Sequence, residues 1–138
     1  MKKELSLLGL CLLLLSMLAY AKTVNMKVNI PFSFVAGNTT LPAGEYTVQG
    51  LGSAGNAISI RKLVDKSAVG LVLAHRCESR DTQEASKLVF HRYGGQYFLA
   101  QIWMAGDNSG QEFPTSRREA ETALDYPSQE VVLFASLR

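Results

Sequence analysis

The chain has 138 residues, 47% of them hydrophobic and 19% charged, with 14 Lys and Arg against 12 Asp and Glu. So even a balance excludes the basic footprint of a nucleic-acid binder, and two cysteines are too few for a disulfide framework.

The amino-terminal segment reads as an export signal. Lys2 and Lys3 form a short positive start, residues 5–19 are almost wholly apolar, and Ala19-Tyr20-Ala21 supplies the small-x-small pattern that signal peptidase reads. Residues 1–21 are therefore expected to be a signal peptide of bacterial type. The mature chain then begins at Lys22 and is exported to the periplasm or beyond. The rival reading is an uncleaved anchor, but a membrane-spanning helix needs about 20 apolar residues, and this run is shorter and ends at Lys22-Thr23. Membrane contact is expected only through this segment while it stays uncleaved. Cys11 does not mark lipidation, because the preceding Leu10 is too large and most of the apolar run follows it.

Residues 22–138 are expected to form a single all-β domain, long enough to bury roughly two thirds of the surface exposed by the unfolded chain. Without Lys2, Lys3 and Glu4 the basic and acidic counts become 12 and 11, which gives no reason to expect a nucleic-acid or polyanionic partner. Cys77 is then the sole thiol, so no intrachain disulfide can form in a compartment that permits one.

Residues 24–34 alternate with the period of a half-buried strand, placing Val24, Met26, Val28, Ile30, Phe32 and Phe34 on one face. Pro31 cannot donate to a ladder, so the strand is an edge there or bends near its middle. Ala36-Gly37-Asn38 starts a loop, and Leu41-Pro42-Ala43-Gly44 suits a type I turn. Residues 45–51 are expected as a strand with Tyr46 and Val48 on one face, followed by the glycine-rich loop Gly52-Ser53-Ala54-Gly55-Asn56. Residues 57–63 alternate again with Ile58 and Ile60 inward, and Val64-Asp65-Lys66-Ser67 turns the chain. Residues 68–75 are nearly all apolar, which predicts a central strand covered on both faces. Residues 76–86 read as a polar loop.

The strongest local signal is a hairpin of residues 87–93 and 96–104 on Gly94-Gly95, a two-residue primed turn. The turn sets Tyr93 opposite Gln96, Arg92 opposite Tyr97, His91 opposite Phe98 and Phe90 opposite Leu99. One face then holds Leu88, Phe90, Leu99 and Trp103, the other Val89, Phe98, Ala100 and Ile102, so both faces are expected to be covered. Ser116-Arg117-Arg118-Glu119 matches a capping box for a helix over residues 117–125, with Ala120, Ala123 and Leu124 on one side and Pro127 as the stop. Residues 130–137 form a final apolar strand. About seven short strands, one late helix and no βαβ pattern predict a small antiparallel β-sandwich or closed barrel. Strands of six to eight residues are too short for an outer-membrane barrel, which needs about 9–11 per crossing.

The segment Val28-Asn29-Ile30-Pro31-Phe32-Ser33-Phe34 followed by Leu41-Pro42-Ala43-Gly44-Glu45-Tyr46-Thr47-Val48 resembles the start of a family of short secreted proteins common in Acidobacteria. The similarity continues through Glu78-Ser79-Arg80, residues 87–94 and 97–103, and ends near Ser116-Arg117-Arg118-Glu119. The resemblance implies an exported all-β domain and carries no catalytic or binding residue onto these positions. The shorter piece Leu41-Pro42-Ala43-Gly44-x-Tyr46-x-Val48 also resembles a turn and strand of secreted transthyretin-like sandwich domains, which supports a sandwich and says nothing about activity.

Candidate chemistry is sparse. No G-x-S-x-G elbow is present. His75 and Cys77, two residues apart, would share a strand face, and a thiol beside an imidazole is an activated pair when a third group orients it. His75, Cys77 and His91 are the only soft metal ligands, with Glu78 and Asp81 near in sequence, and their spacing matches no structural zinc pattern. Asp107-Asn108-Ser109-Gly110 with Glu112 has the composition of a calcium loop without its spacing. Arg92 opposite Tyr97 suits a cation–π contact. The acidic residues mostly fall in apparent loops (Asp65, Glu78, Asp81, Asp107 and Glu112) or on the helix (Glu119 and Glu121), where water is expected to surround them. No cofactor, metal or catalytic residue is therefore expected. The expected role is non-enzymatic binding of a protein or a cell-surface polymer. The alternatives are a small-molecule carrier with an open barrel interior, or an enzyme using His75, Cys77 or His91.

Overall fold

The computed structural model describes residues 24–51, 56–64 and 68–137. The expected signal peptide, residues 1–21, lies outside the described residues, as do most of the Gly52-Ser53-Ala54-Gly55-Asn56 loop and the Asp65-Lys66-Ser67 turn. The described part is mostly β, two sheets facing each other with one short helix; all strand pairings are antiparallel except that of β2 with β9, which is parallel, and the sheets do not close into a barrel. Of the two architectures expected, the sandwich is the one formed. The strands are more numerous than the seven expected, because several are only two to four residues long and interrupt what the sequence presents as loops.

In chain order the strands are β1 (Asn25–Ile30), β2 (Phe34–Ala36), β3 (Thr39–Leu41), β4 (Gly44–Leu51), β5 (Ala57–Lys62), β6 (Ala68–Leu73), β7 (His75–Glu78), β8 (Lys87–Tyr93), β9 (Gln96–Trp103) and β10 (Ser109–Glu112). Helix α1 (Arg117–Ala123), β11 (Ser128–Phe134) and β12 (Ser136–Leu137) complete the set. The first sheet runs β12-β1-β4-β5-β6 and the second β11-β8-β9-β10-β7. β2 pairs with β9 at Val35 and Phe98, on the edge of β9 that β10 occupies further along, and β3 pairs with β2.

The core follows from the alternation. Met26, Val28 and Ile30 of β1, Tyr46 and Val48 of β4 and Ile58 and Ile60 of β5 meet Phe34, Leu41, Leu88, Phe90, Leu99 and Ile102 from the facing sheet. Pro31 ends β1, and residues 31–33 carry the chain across to β2 in the other sheet. Gly37, at φ +61°, turns β2 into β3 as a hairpin where the sequence suggested only a loop. Tyr46 is fully buried, and its hydroxyl donates to the carbonyl of Pro42 four residues upstream, which ties the corner between β3 and β4.

The Gly94-Gly95 hairpin has the expected register at all four pairs from the turn to Phe90 and Leu99. Gly94 takes φ +60°, as the first position of a type II′ turn requires. Beyond Phe90 the register shifts by a bulge on β9. One extra residue exchanges the faces of everything past it. Ile102 therefore enters the main core in place of Trp103, which lies over Gly110 instead, with Trp103 Cε3 2.7 Å from where a Cβ would stand on Gly110.

Two further expectations are corrected. Residues 68–75 are not a central strand: β6 is the edge of the first sheet, and the chain leaves it at buried Ala74 to enter the second sheet as β7, inside the expected polar loop. The helix runs only to Ala123, and its Ala120, Ala123 and Leu124 face solvent, Leu124 being 86% exposed.

Candidate functional site

The residues singled out for chemistry are dispersed. β7 places His75 and Cys77 on one face of a strand, opposite Glu112 and Gly110 of β10. β8, which carries His91, lies three strand spacings away across the same sheet, about 14 Å. The structure therefore does not gather His75, Cys77 and His91 into one site. Cys77 is half-buried and free, and burial, followed by the nearby Glu112 carboxylate, raises its thiol above the ordinary range. Such a thiol keeps its proton at neutral pH and is a poor nucleophile. Asp107 caps its own turn, its Oδ1 accepting from the Ser109 amide and hydroxyl at 2.9 Å each. Among the described residues no three His, Cys, Asp or Glu side chains converge as metal ligands, and no helix is long and apolar enough to cross a membrane.

His91 has a partner the sequence did not suggest. The Glu119 carboxylate is only 5% exposed, against the expectation that water surrounds it on the helix. Its Oε1 accepts from His91 Nδ1 at 2.9 Å and from the Tyr93 hydroxyl at 3.0 Å. Facing a carboxylate oxygen, Nδ1 carries the hydrogen. Burial, and then the hydrogen bond to Glu119, hold the Tyr93 phenol above its ordinary pKa. Only half of the expected capping box forms: the Glu119 amide donates to Ser116 Oγ at 3.1 Å, while the Glu119 side chain turns inward to the sheet. One carboxylate thus clips α1 onto the outer face of the second sheet, beside the small cluster of Val35, Tyr93 and Phe98. Among the described residues no hydroxyl or thiol reaches His91 in the manner of a nucleophile beside its base.

Two surface features remain. The first is the β6 edge, where Leu71 and Leu73 are each 67% exposed. Among the described residues β6 pairs with β5 alone, and the register places Leu73 beside Ala57 and Leu51 in one row across the sheet, with Leu71 beside Ser59 in the next. Its sequence, Ala68-Val69-Gly70-Leu71-Val72-Leu73, has no charge and no proline. The other edges are short or carry charge: β12 has two residues and β3 three, β7 carries His75, Arg76 and Glu78, and β11 carries Glu130. The second feature is a pair of adjoining clefts, of about 190 and 270 Å³, between the β8–β9 turn and α1. Both are lined by Gln96 and Arg118, and Tyr126 borders the larger. Sequence reasoning missed these surfaces. The run of apolar residues in β6 was visible, but a strand covered on both faces and a strand awaiting a partner have the same pattern.

No family model, no curated protein and no solved structure matches this chain.

Proposed function

We propose that this chain is an exported, non-enzymatic β module that binds another protein by accepting one of its strands along β6. The observation that carries this reading is the open β6 edge with Leu71 and Leu73 two-thirds exposed. An edge strand presents a row of unpaired backbone donors and acceptors, and natural sheets protect such edges with charge, proline or shortness, none of which β6 has. In strand addition the backbone bonds supply affinity and alternate side-chain contacts supply specificity. Leu51, Leu71 and Leu73 offer on the order of 300 Å² of apolar surface, well short of the ~800 Å² per partner of a stable globular interface. An extended segment suits that area better than a second folded copy.

The competing readings find less support. A carrier needs an empty interior, and this one is filled by Met26, Phe34, Tyr46, Phe90 and Ile102. Catalysis would draw on His75, Cys77 or His91: His91 lies apart from the other two and is engaged in holding α1, and the Cys77 thiol keeps its proton. A cell-surface polymer would make no use of the unpaired backbone of β6. The exported location rests on Lys2-Lys3, the leucine-rich run and Ala19-Tyr20-Ala21, together with the resemblance to secreted proteins of Acidobacteria.

The test compares the wild type with a Leu71→Lys/Leu73→Lys variant in recovery of a partner from native envelope, after matching their melting temperatures. A photo-cross-linker at position 73 identifies what is bound. The expected result is a protein cross-linked at position 73 and recovered by the wild type but not by the variant. Equal recovery by both, or cross-links only to a second copy of this chain, overturns the reading.

A further inference from the structure

We propose that the paired clefts at the α1 end form a binding site for a neutral oligosaccharide, with the exposed face of Tyr126 as its stacking platform. The reasoning begins at Gly94. A Cβ built there would stand 3.1, 3.2 and 3.4 Å from Cδ1, Cε1 and Cγ of Tyr126. Three adjacent ring atoms at nearly equal distance mean that the ring lies face-on against the glycine, not edge-on. One face of Tyr126 is thus seated on the β8–β9 turn, while the residue as a whole stays 49% exposed. A flat, immobilised aromatic face turned to solvent matches the C–H-bearing face of a pyranose ring, and its rigidity keeps the entropic cost of binding low.

The groups around the ring suit hydroxyls. The larger cleft is lined by Gln96, Arg118, Glu121, Thr122 and Asp125 beside Tyr126. Arg118 is anchored by donating from Nη1 to Thr40 Oγ1 at 2.8 Å, which leaves further guanidinium donors for a ligand. Glu121 is occupied by Arg117 Nε at 3.1 Å. The Asp125 carboxylate and the Gln96 amide make no side-chain hydrogen bond among the described residues, so one strong acceptor and one donor–acceptor pair are unspent. A sugar hydroxyl both donates and accepts, and it matches such a mixed set better than a phosphate or sulfate, which the carboxylate would repel. The smaller cleft continues past Gln96 and Arg118 toward Ser33, Thr40 and Tyr97. Two clefts sharing the same pair of polar residues favour a ligand of several sugar units over a monosaccharide. No residue of β6 lines either cleft, and the site stands independently of the strand-addition reading.

The test is calorimetric titration of the protein with cellohexaose, chitohexaose and maltohexaose, at low and at high salt. At least one of the three is expected to bind saturably and independently of salt. Tyr126→Ala and Gln96→Ala should each weaken that binding about tenfold or more while both variants stay folded at the temperature of the titration. Leu71→Lys/Leu73→Lys should leave it unaltered. The proposal is overturned if none of the hexaoses binds, if binding is indifferent to both cleft substitutions, or if the protein binds only heparin and loses it in high salt.

Discussion

Removing a carboxylate from water is unfavourable by several kcal/mol unless it is paired or hydrogen-bonded, and Glu119 meets that demand with the imidazole of His91 and the phenol of Tyr93. The consequence is measurable. Glu119→Ala removes the acceptor shared by His91 and the buried Tyr93 hydroxyl, leaving the latter only Ser128, and should destabilise the domain by about 1–3 kcal/mol in urea unfolding. Glu119→Gln keeps an acceptor oxygen in place and should cost distinctly less. The same contact sets an alkaline limit. Burial and Glu119 raise the Tyr93 phenol above its value of 10.0 in the unfolded chain, so the unfolded state gives up its proton first. Stability from this group is complete below about pH 10 and falls as pH rises toward the folded-state pKa. Tyr93→Phe, read in the same unfolding series, should flatten that alkaline limb.

Among the elements, the β8–β9 hairpin shows most clearly how local chemistry and tertiary contact reinforce each other. Gly94 is required by its φ of +60° and again by the Tyr126 ring packed on it. Gly94→Val should therefore destabilise by more than about 1 kcal/mol, whereas Gly95→Ala, where an added Cβ meets nothing within 4 Å, should be mild. Equal effects of the two substitutions in thermal unfolding would show that the turn is not set by its first glycine. Helix α1 has the opposite character. Seven residues long and nearly all exposed, it is held in place by Glu119 and by the Arg118–Thr40 hydrogen bond, since a helix this short is not stable alone.

For the molecule as a whole, the two sheets are tied by crossings at residues 31–33, at residues 42–43, at Ala74 and at Ala135. Ser86, almost fully buried, secures the last of these. Its carbonyl accepts from the Ala135 amide at 2.8 Å and its hydroxyl from the Ala105 amide at 3.0 Å. Ser86→Ala should release the Ala105 amide alone and lower stability by about 1 kcal/mol, seen as a reduced urea midpoint at unchanged slope. A changed slope would mean that the crossing itself had loosened.

Much of the fold was legible in the residues. Alternation in β1, β4 and β5 marked their inward faces, Pro31 marked the break after β1, and Gly94-Gly95 dictated the hairpin register as far as Phe90, because period and turn chemistry act within a few residues. The bulge beyond Phe90 could not be read, since one inserted residue leaves composition unchanged while reversing the faces of Ile102 and Trp103. Nor could the fates of Glu119 and β6. A helical carboxylate is buried only when a distant strand offers it His91 and Tyr93, and an apolar strand is an edge or a centre only according to what pairs beside it. Those outcomes depend on which segments meet in space, and only the tertiary structure decides that.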